Sequence, residues 1–462
     1  MSEFELVIRG GRVVLADGPV RLDVGVSDGL IAGLGRELAG GGEEIDAAGL
    51  HVLPGAVDAH VHVNEPGRTE WEGVATGSAA LAVGGTTTAL EMPLNAIPAT
   101  VDAASWQAKI AAWEGRTRVD FALWGGIVPD NEDGLVEVAE LGAVGFKAFM
   151  CEGGTPDFQW VDDARLHAGM CVAARRGLPV AVHAENDSIT AAGRRVLAAR
   201  TGRSAADYLA SRPALAEIEA VSRALTLAQD AGCRVHLVHL STGRAVALVH
   251  EARVRGVDAT CETCPHYLAF TVEDVERIGT IAKCAPPIRG ADEQAELWAA
   301  VIDGRIDMVS TDHAPAPLTS KGGDFLEAWG GIAGGQMLTS VLLSEGHHRR
   351  GVPLARIARL LAGAPAERFG LERKGRIEVG ADADLVLVNL ADERTVTVEE
   401  QRCRHPGTSP YVDMRVRGRP VRTLLRGATV ARDGEVFGPA RGRFVGPVAG
   451  RPAPAAGVVR SI

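Results

Sequence analysis

The segment Asp58-Ala59-His60-Val61-His62 sets two imidazoles two residues apart in a run with strand character. Side chains two apart in a strand leave the same face. His60 and His62 therefore point together and could hold one divalent ion. Taken alone, the pair could equally be two ordinary polar strand residues. Three more strand-like runs close on groups of the same kind: Val182-His183-Ala184-Glu185, Val238-His239-Leu240-Ser241 and Ser310-Thr311-Asp312-His313. A further run, Gly145-Phe146-Lys147-Ala148-Phe149, places a lysine among apolar neighbours. A buried, unpaired ammonium is costly. Either the stem packs while the amine reaches solvent, or the neutral amine has reacted with carbon dioxide. The resulting carbamate is an anionic, two-oxygen group able to bridge two metals.

Groups so far apart in the chain need a fold that gathers them. Apolar strand-like runs occur at 56–63, 86–92, 121–128, 144–150, 179–184, 234–240, 257–263 and 308–311. Amphipathic helical runs lie between them, and Gly115, Gly177, Gly232, Gly256 and Gly304 close several, as suits helix C-termini. Eight strands with crossover helices fit an α/β fold of the (β/α)8 TIM-barrel type better than a doubly wound sheet, although spacing alone leaves both open. A barrel carries its active site at the C-terminal ends of its strands. His60, His62, Lys147, His183, His239 and Asp312 all fall near such ends. Imidazole and carboxylate donors suit zinc, and also cobalt, nickel, iron or manganese.

The chain ends have a different texture. Phe4 to Ile8 and Val13 to Leu15 read as short strands around the turn Arg9-Gly10-Gly11-Arg12, followed by Asp17-Gly18. Near the other end, 423–434 follows the same scheme of strand, Arg-Gly, strand, Asp-Gly. Both ends together would build one small β-sandwich domain from 1–52 and 375–445; the alternative is two unrelated hairpins. The barrel would then occupy 53–374, and the Pro- and Gly-containing 446–462 would be a tail. A net charge of −11 with only 4% aromatic residues argues against nucleic-acid binding. Seven scattered cysteines do not suggest a disulfide framework, so a reducing compartment is expected. No run of 18 apolar residues or signal-like start is present, so neither membrane insertion nor export is expected and the cytoplasm is the default.

The pattern resembles the cyclic amidohydrolases of the amidohydrolase superfamily and, within them, the allantoinase branch. The segments that carry the resemblance are 60–73, Glu91-Met92-Pro93-Leu94-Asn95, Cys261-Glu262-Thr263-Cys264-Pro265-His266-Tyr267, 283–289, 328–334 and Ser409-Pro410-Tyr411. It extends over nearly the whole chain, from Arg9 to Asp433. The resemblance implies a binuclear centre: His60 and His62 on one ion with Asp312, His183 and His239 on the second, and a carbamylated Lys147 (N6-carboxylysine) bridging them. Two such ions, most often zinc, would share a hydroxide available near neutral pH. Asp312 would act as general base and then acid, opening the ring amide of allantoin to give allantoate. A homo-oligomer, most simply a homotetramer, is implied as well.

One position narrows the substrate. Dihydroorotases carry His-x-His-x-Arg, whose arginine holds a substrate carboxylate, whereas this chain has Asn64. A neutral ring offers a buried guanidinium no charge partner. Hydantoinases and dihydropyrimidinases stay open as alternatives, because their ring is held largely by backbone. That implies substrate contacts at Asn64, Asn95, Cys284, Ala285 and Gly330, with Ala285 where a serine is common. His313 and His266 lie beside the site, in contact with substrate or structural. His236, three residues before His239, should point away from it and pack between sheet and helix. Asp413 stands where a glycine is typical. Cys261-x-x-Cys264 has no second pair, so a metal or redox role is not expected there. A non-catalytic relative would usually lack metal ligands, and all six candidates are present.

Overall fold

The computed structural model describes residues 4–201 and 203–447. Most of the expected tail, beyond 447, lies outside the described residues.

The first strands are β1 (Phe4–Leu15), β2 (Gly18–Ser27), β3 (Leu30–Gly35), β4 (Gly41–Asp46) and β5 (His51–Pro54). They join β15 (Leu385–Thr395), β16 (Arg415–Leu425), β17 (Ala428–Arg432) and β18 (Glu435–Val436) in one nine-stranded sheet. β1 pairs with β4 along its first half and with β5 along its second, so the sheet divides into two layers. Ile8, Val24, Ile31, Val52, Leu385 and Leu424 fill the space between them. The expected turn at Arg9 to Arg12 is instead a bulge inside one long strand. Gly10 takes a φ of 67°, and the buried Asp23 carboxylate accepts from its amide at 2.8 Å and from Arg9 Nη1 at 3.0 Å. The bulge keeps its freed backbone group bonded, so the strand continues. The second Arg-Gly does turn the chain, with Arg426 and Gly427 at φ 47° and 76° between β16 and β17.

The barrel strands are β6 (Ala56–Val61), β7 (Thr86–Glu91), β8 (Asp120–Leu123), β9 (Gly125–Gly126), β10 (Phe146–Phe149), β11 (Val180–His183), β12 (Val235–Leu237), β13 (Ala259–Thr263) and β14 (Met308–Val309). β8 and β9 are one barrel strand interrupted at Trp124, whose indole donates across the barrel to the Ala59 carbonyl at 3.1 Å. Pairing runs β6-β7-β8 and β9-β10-β11-β12-β13-β14, all parallel. A bridge between Val61 and His313 and the His62 amide to the His313 carbonyl, 2.7 Å, bring the first strand to the last. All eight expected strand positions are thus occupied in a (β/α)8 barrel. Helices such as Asp163–Arg176 and Ala214–Ala231 cover it, ending at Gly177 and Gly232 with φ 68° and 61°. That left-handed conformation suits glycine, and its amide caps carbonyls of the last turn. No helix among the described residues is long and apolar enough to cross a membrane.

Candidate metal centre

Five of the eight strands deliver the expected groups to the floor of one cavity of about 270 Å³, lined by His60, His62, Lys147, His183, His239 and Asp312. The delivery depends on bent backbone at the strand ends. His239 and Asp312 adopt φ of 40° and 46°, as do Asn64 and Asn95 at 62° and 67°. Positive φ is uncommon outside glycine and is retained where the surroundings enforce it. At Asp312 the enforcement is visible: Thr311 just before it is bonded to Asp58 on β6.

On one side, Asp312 Oδ1 lies 3.3 Å from His60 Nε2 and 3.2 Å from His62 Nε2. On the other, His183 Nδ1 faces His239 Nε2 at 3.0 Å, and Phe149 stacks on the His183 ring at a centroid distance of 4.4 Å. Lys147 is fully buried, and its Nζ has no hydrogen-bond partner.

The electrostatics favour ligation. Burial, then the Lys147 ammonium, push the His60 imidazole down to about 4. Burial pulls His183 down and His239 well down. All three are neutral at pH 7, the form that binds metal. Burial pushes the Asp312 carboxyl up, but the imidazoles of His60 and His62 outweigh it and hold it below the usual range. Burial lowers Lys147 to about 8, so roughly a tenth of its amine is unprotonated at pH 7, far more than for a free lysine. Three neutral imidazoles, an ionised carboxylate and an orphaned lysine fit a divalent metal centre better than a closed hydrogen-bond network, which would not leave Lys147 Nζ bare.

The remaining expected residues divide. Asn95, Cys284, Ala285 and Gly330 line the cavity wall. Tyr208 donates its hydroxyl to the Cys284 carbonyl at 3.0 Å. Asn64 and His313 do not line it. The Asn64 amide donates to the Pro315 carbonyl at 3.0 Å, and His313 Nδ1 accepts from the Gly335 amide at 3.1 Å. Both are spent on holding the loop after the last strand. His266 lies against Tyr267 behind the cavity, with neither ring nitrogen bonded. His236 departs from expectation. It sits inside the barrel below the ligands, with Nε2 3.2 Å from Glu262 Oε2 and its ring against Phe369. Regular alternation ends at Leu237, and the positive φ of His239 turns its ring to the face that His236 already occupies. Asp413 has φ 68°, which accounts for glycine being typical at that position.

Sequence reasoning missed the groups behind the ligands. Glu262 Oε1 lies 2.6 Å from His60 Nδ1. Glu185 Oε2 lies 2.9 Å from His183 Nε2 and pairs with Arg212, whose Nη2 donates at 2.6 Å. Asp58 accepts from the Thr311 amide and hydroxyl. The available signal was parity: Asp58 shares its strand face with His60.

A profile of the Amidohydrolase family matches residues 51–430. An allantoinase of Rubrobacter xylanophilus is 56% identical over 449 residues, covering 97% of this chain and 98% of that protein. An allantoinase of Solibacter usitatus is 51% identical over 446 residues, covering 96% and 97%. Among solved structures, the L-hydantoinase (dihydropyrimidinase) from Arthrobacter aurescens superposes with a TM-score of 0.93 at 35% identity, covering 96% of this chain and all of that one. With a buried histidine and carboxylate cluster at the C-terminal ends of its barrel strands and a family match over most of its length, the chain belongs to the amidohydrolase family.

Proposed function

We propose that the protein hydrolyses the hydantoin ring amide of allantoin to allantoate, a step of purine catabolism, at the cavity floored by His60, His62, Lys147, His183, His239 and Asp312. The convergence of these six groups carries the chemistry. Full-length identity of 56% to an allantoinase, against 35% to the hydantoinase, favours allantoin over other cyclic amides.

His60, His62 and Asp312 would hold one divalent ion and His183 and His239 a second, with Lys147, carbamylated by carbon dioxide, between them. Zinc is the first choice for this donor set. When bound, two such ions supply a hydroxide near neutral pH and polarise the ring carbonyl. Asp312 does the proton work: ionised, and the most exposed of the six at 14% of its side chain, it accepts the proton of the attacking hydroxide. It returns that proton to the ring nitrogen as the C–N bond opens, leaving the product carboxylate; the water that replaces the hydroxide gives one proton to solvent, so one water is consumed per turnover and Asp312 ends ionised. Asn95 and the backbone of Cys284, Ala285 and Gly330 orient the neutral ring. The barrel (53–374) carries this chemistry and the small sheet domain (1–52 and 375–445) braces it, in a cytoplasmic homotetramer.

Substrate profiling tests the reading. The metal-loaded protein should open allantoin with a higher kcat/KM than dihydrouracil or 5-substituted hydantoins. The reverse order would make it a hydantoinase. Failure to hold about two metals per chain after reconstitution with bicarbonate, together with no hydrolysis, would remove the enzyme reading altogether.

A further inference from the structure

Two buried carboxylates stand directly behind the two halves of the cluster. Glu262 Oε1 meets His60 Nδ1 at 2.6 Å, leaving Nε2 to face Asp312. Glu185 Oε2 meets His183 Nε2 at 2.9 Å, leaving Nδ1 to face His239. The two histidines are therefore held through opposite ring nitrogens. An imidazole that donates its second N–H to a carboxylate is fixed in tautomer and orientation, and its free nitrogen becomes a better donor.

The two carboxylates differ in what compensates them. Glu185 carries a guanidinium of its own, Arg212, at 3.0 Å from Nε and 2.6 Å from Nη2. Glu262 forms no ion pair with a lysine or arginine among the described residues. Its neighbours are imidazoles, His60 and, at 3.2 Å, His236, and both of its partners are completely buried. A fully buried carboxylate without a cation is expensive. It becomes favourable when a divalent charge sits on the far nitrogen of the ring it touches.

We propose that Glu262 is a positioning residue that supplies charge through His60 to the metal held by His60, His62 and Asp312, while Glu185 does the same through His183 for the other ion. This rests on the two-metal reading above. Each glutamate serves one ion, Glu262 the one nearer Asp312 and Glu185 the one between His183 and His239. His236 acts as the lateral stop for Glu262, itself held by Thr260 Oγ1 at 2.9 Å from Nδ1.

The test is chelator competition on the zinc- and bicarbonate-loaded protein, read as metal per chain, for wild type, Glu262→Gln, Glu185→Gln and the double variant. Glutamine keeps the shape and removes the charge. Each single variant should keep one ion at wild-type affinity and bind the other 10–100-fold more weakly, a loss typical of groups behind metal ligands. The double variant should weaken both ions. Wild-type affinity for both ions in Glu262→Gln would overturn the proposal, and so would a double variant that still holds one ion tightly, because both glutamates would then serve the same ion. Melting curves of the chelated proteins check the fold. If Glu262→Gln does not fold, Glu262→Asp, which retains the charge but falls short of His60, must show the same one-ion loss. Failure of both to fold would assign Glu262 to barrel stability and overturn the proposal. A wild-type protein that binds no metal would instead remove the two-metal reading.

Discussion

Asp58 on the first barrel strand accepts two hydrogen bonds from Thr311 at the end of the last, 3.0 Å from the amide and 2.6 Å from the hydroxyl. The same hydroxyl accepts from the His313 amide at 3.1 Å. These bonds join strands 253 residues apart and fix the turn that carries Asp312. Thr311→Val removes the hydroxyl at nearly constant volume and leaves two buried polar groups unpartnered. Each such loss costs about 1–3 kcal/mol. For the two together, denaturant unfolding should show a fall of about 2–6 kcal/mol, and kcat should drop while KM moves little. Wild-type stability and kcat would show that the closure does not depend on this side chain.

Lys147 gives a second prediction. Carbamylation requires the unprotonated amine, and burial sets Lys147 at about 8. The unprotonated share therefore rises from pH 6.5 to 8.5. Recovery of activity by metal-stripped protein should accelerate over that interval and should require bicarbonate. Lys147→Ala should lose the bridging group, hold less than two ions per chain and be inactive. A Lys147→Ala protein with full metal content and turnover would refute the carbamate.

Much of this site could be read from the chain because strand parity is a local rule. It places His60 and His62 on one face without any tertiary information, and the eight strand positions followed from apolar runs set between amphipathic helical ones. The rule fails where backbone leaves the strand. His239, at φ 40°, is one such point, and for that reason His236 shares its face instead of pointing away. Partners across the barrel are invisible to local patterns: Glu262 lies 202 residues from His60, and in the sequence the cysteines on either side of it drew attention instead. Asn64 suggests a substrate contact because it stands where dihydroorotases carry a substrate-holding arginine, and His313, beside a ligand, reads as substrate contact or structural; the loop after the last strand uses both. Neither the bulge at Gly10 nor the π-helical turns at Leu342–His348 and Arg359–Gly363 leaves a periodic signature.

Glu72 supplies a pH prediction away from the ligands. It is buried, and burial pushes its carboxyl up to about 8, against the opposing Arg404 amide at 3.1 Å. Its folded value is raised above the unfolded one, near 4.5. Below pH 4.5 it is protonated in both states and has no effect. Between 4.5 and 8 the unfolded chain gives up the proton and the folded one keeps it, so stability falls as pH rises, by up to about 1.4 kcal/mol per pH unit. Glu72→Gln removes that slope. In denaturant titrations of the metal-free protein, the variant should gain on wild type from pH 5.5 to 8. Parallel stability curves would show that Glu72 ionises freely in the fold.

Lys374 joins the barrel to the sheet domain. Its Nζ contacts Asp120 at 2.5 Å, Asp384 at 2.7 Å and Asp382 at 2.8 Å, all buried. Asp120 opens β8, at the barrel end opposite the cavity, and the other two precede β15. Burial lowers the Lys374 ammonium, but the three carboxylates outweigh it and hold it above its usual value. The cluster has the donor set of a cation site, and the lysine already fills it. Lys374→Met would leave three buried carboxylates with Arg426 on Asp120 and Arg373, 3.3 Å from Asp382, as the remaining close cations, and Asp384 with no cation of its own. Breaking a buried pair by removing one partner costs about 3–5 kcal/mol. Acid should relieve part of that, because the unpaired carboxyls can take up protons. The variant should therefore melt below wild type by a wider margin at pH 8 than at pH 5, with metal content and KM of the folded protein unchanged. An equal margin at both pH values would mean that the carboxylates are already protonated in the native cluster, and Lys374 would then act through packing alone.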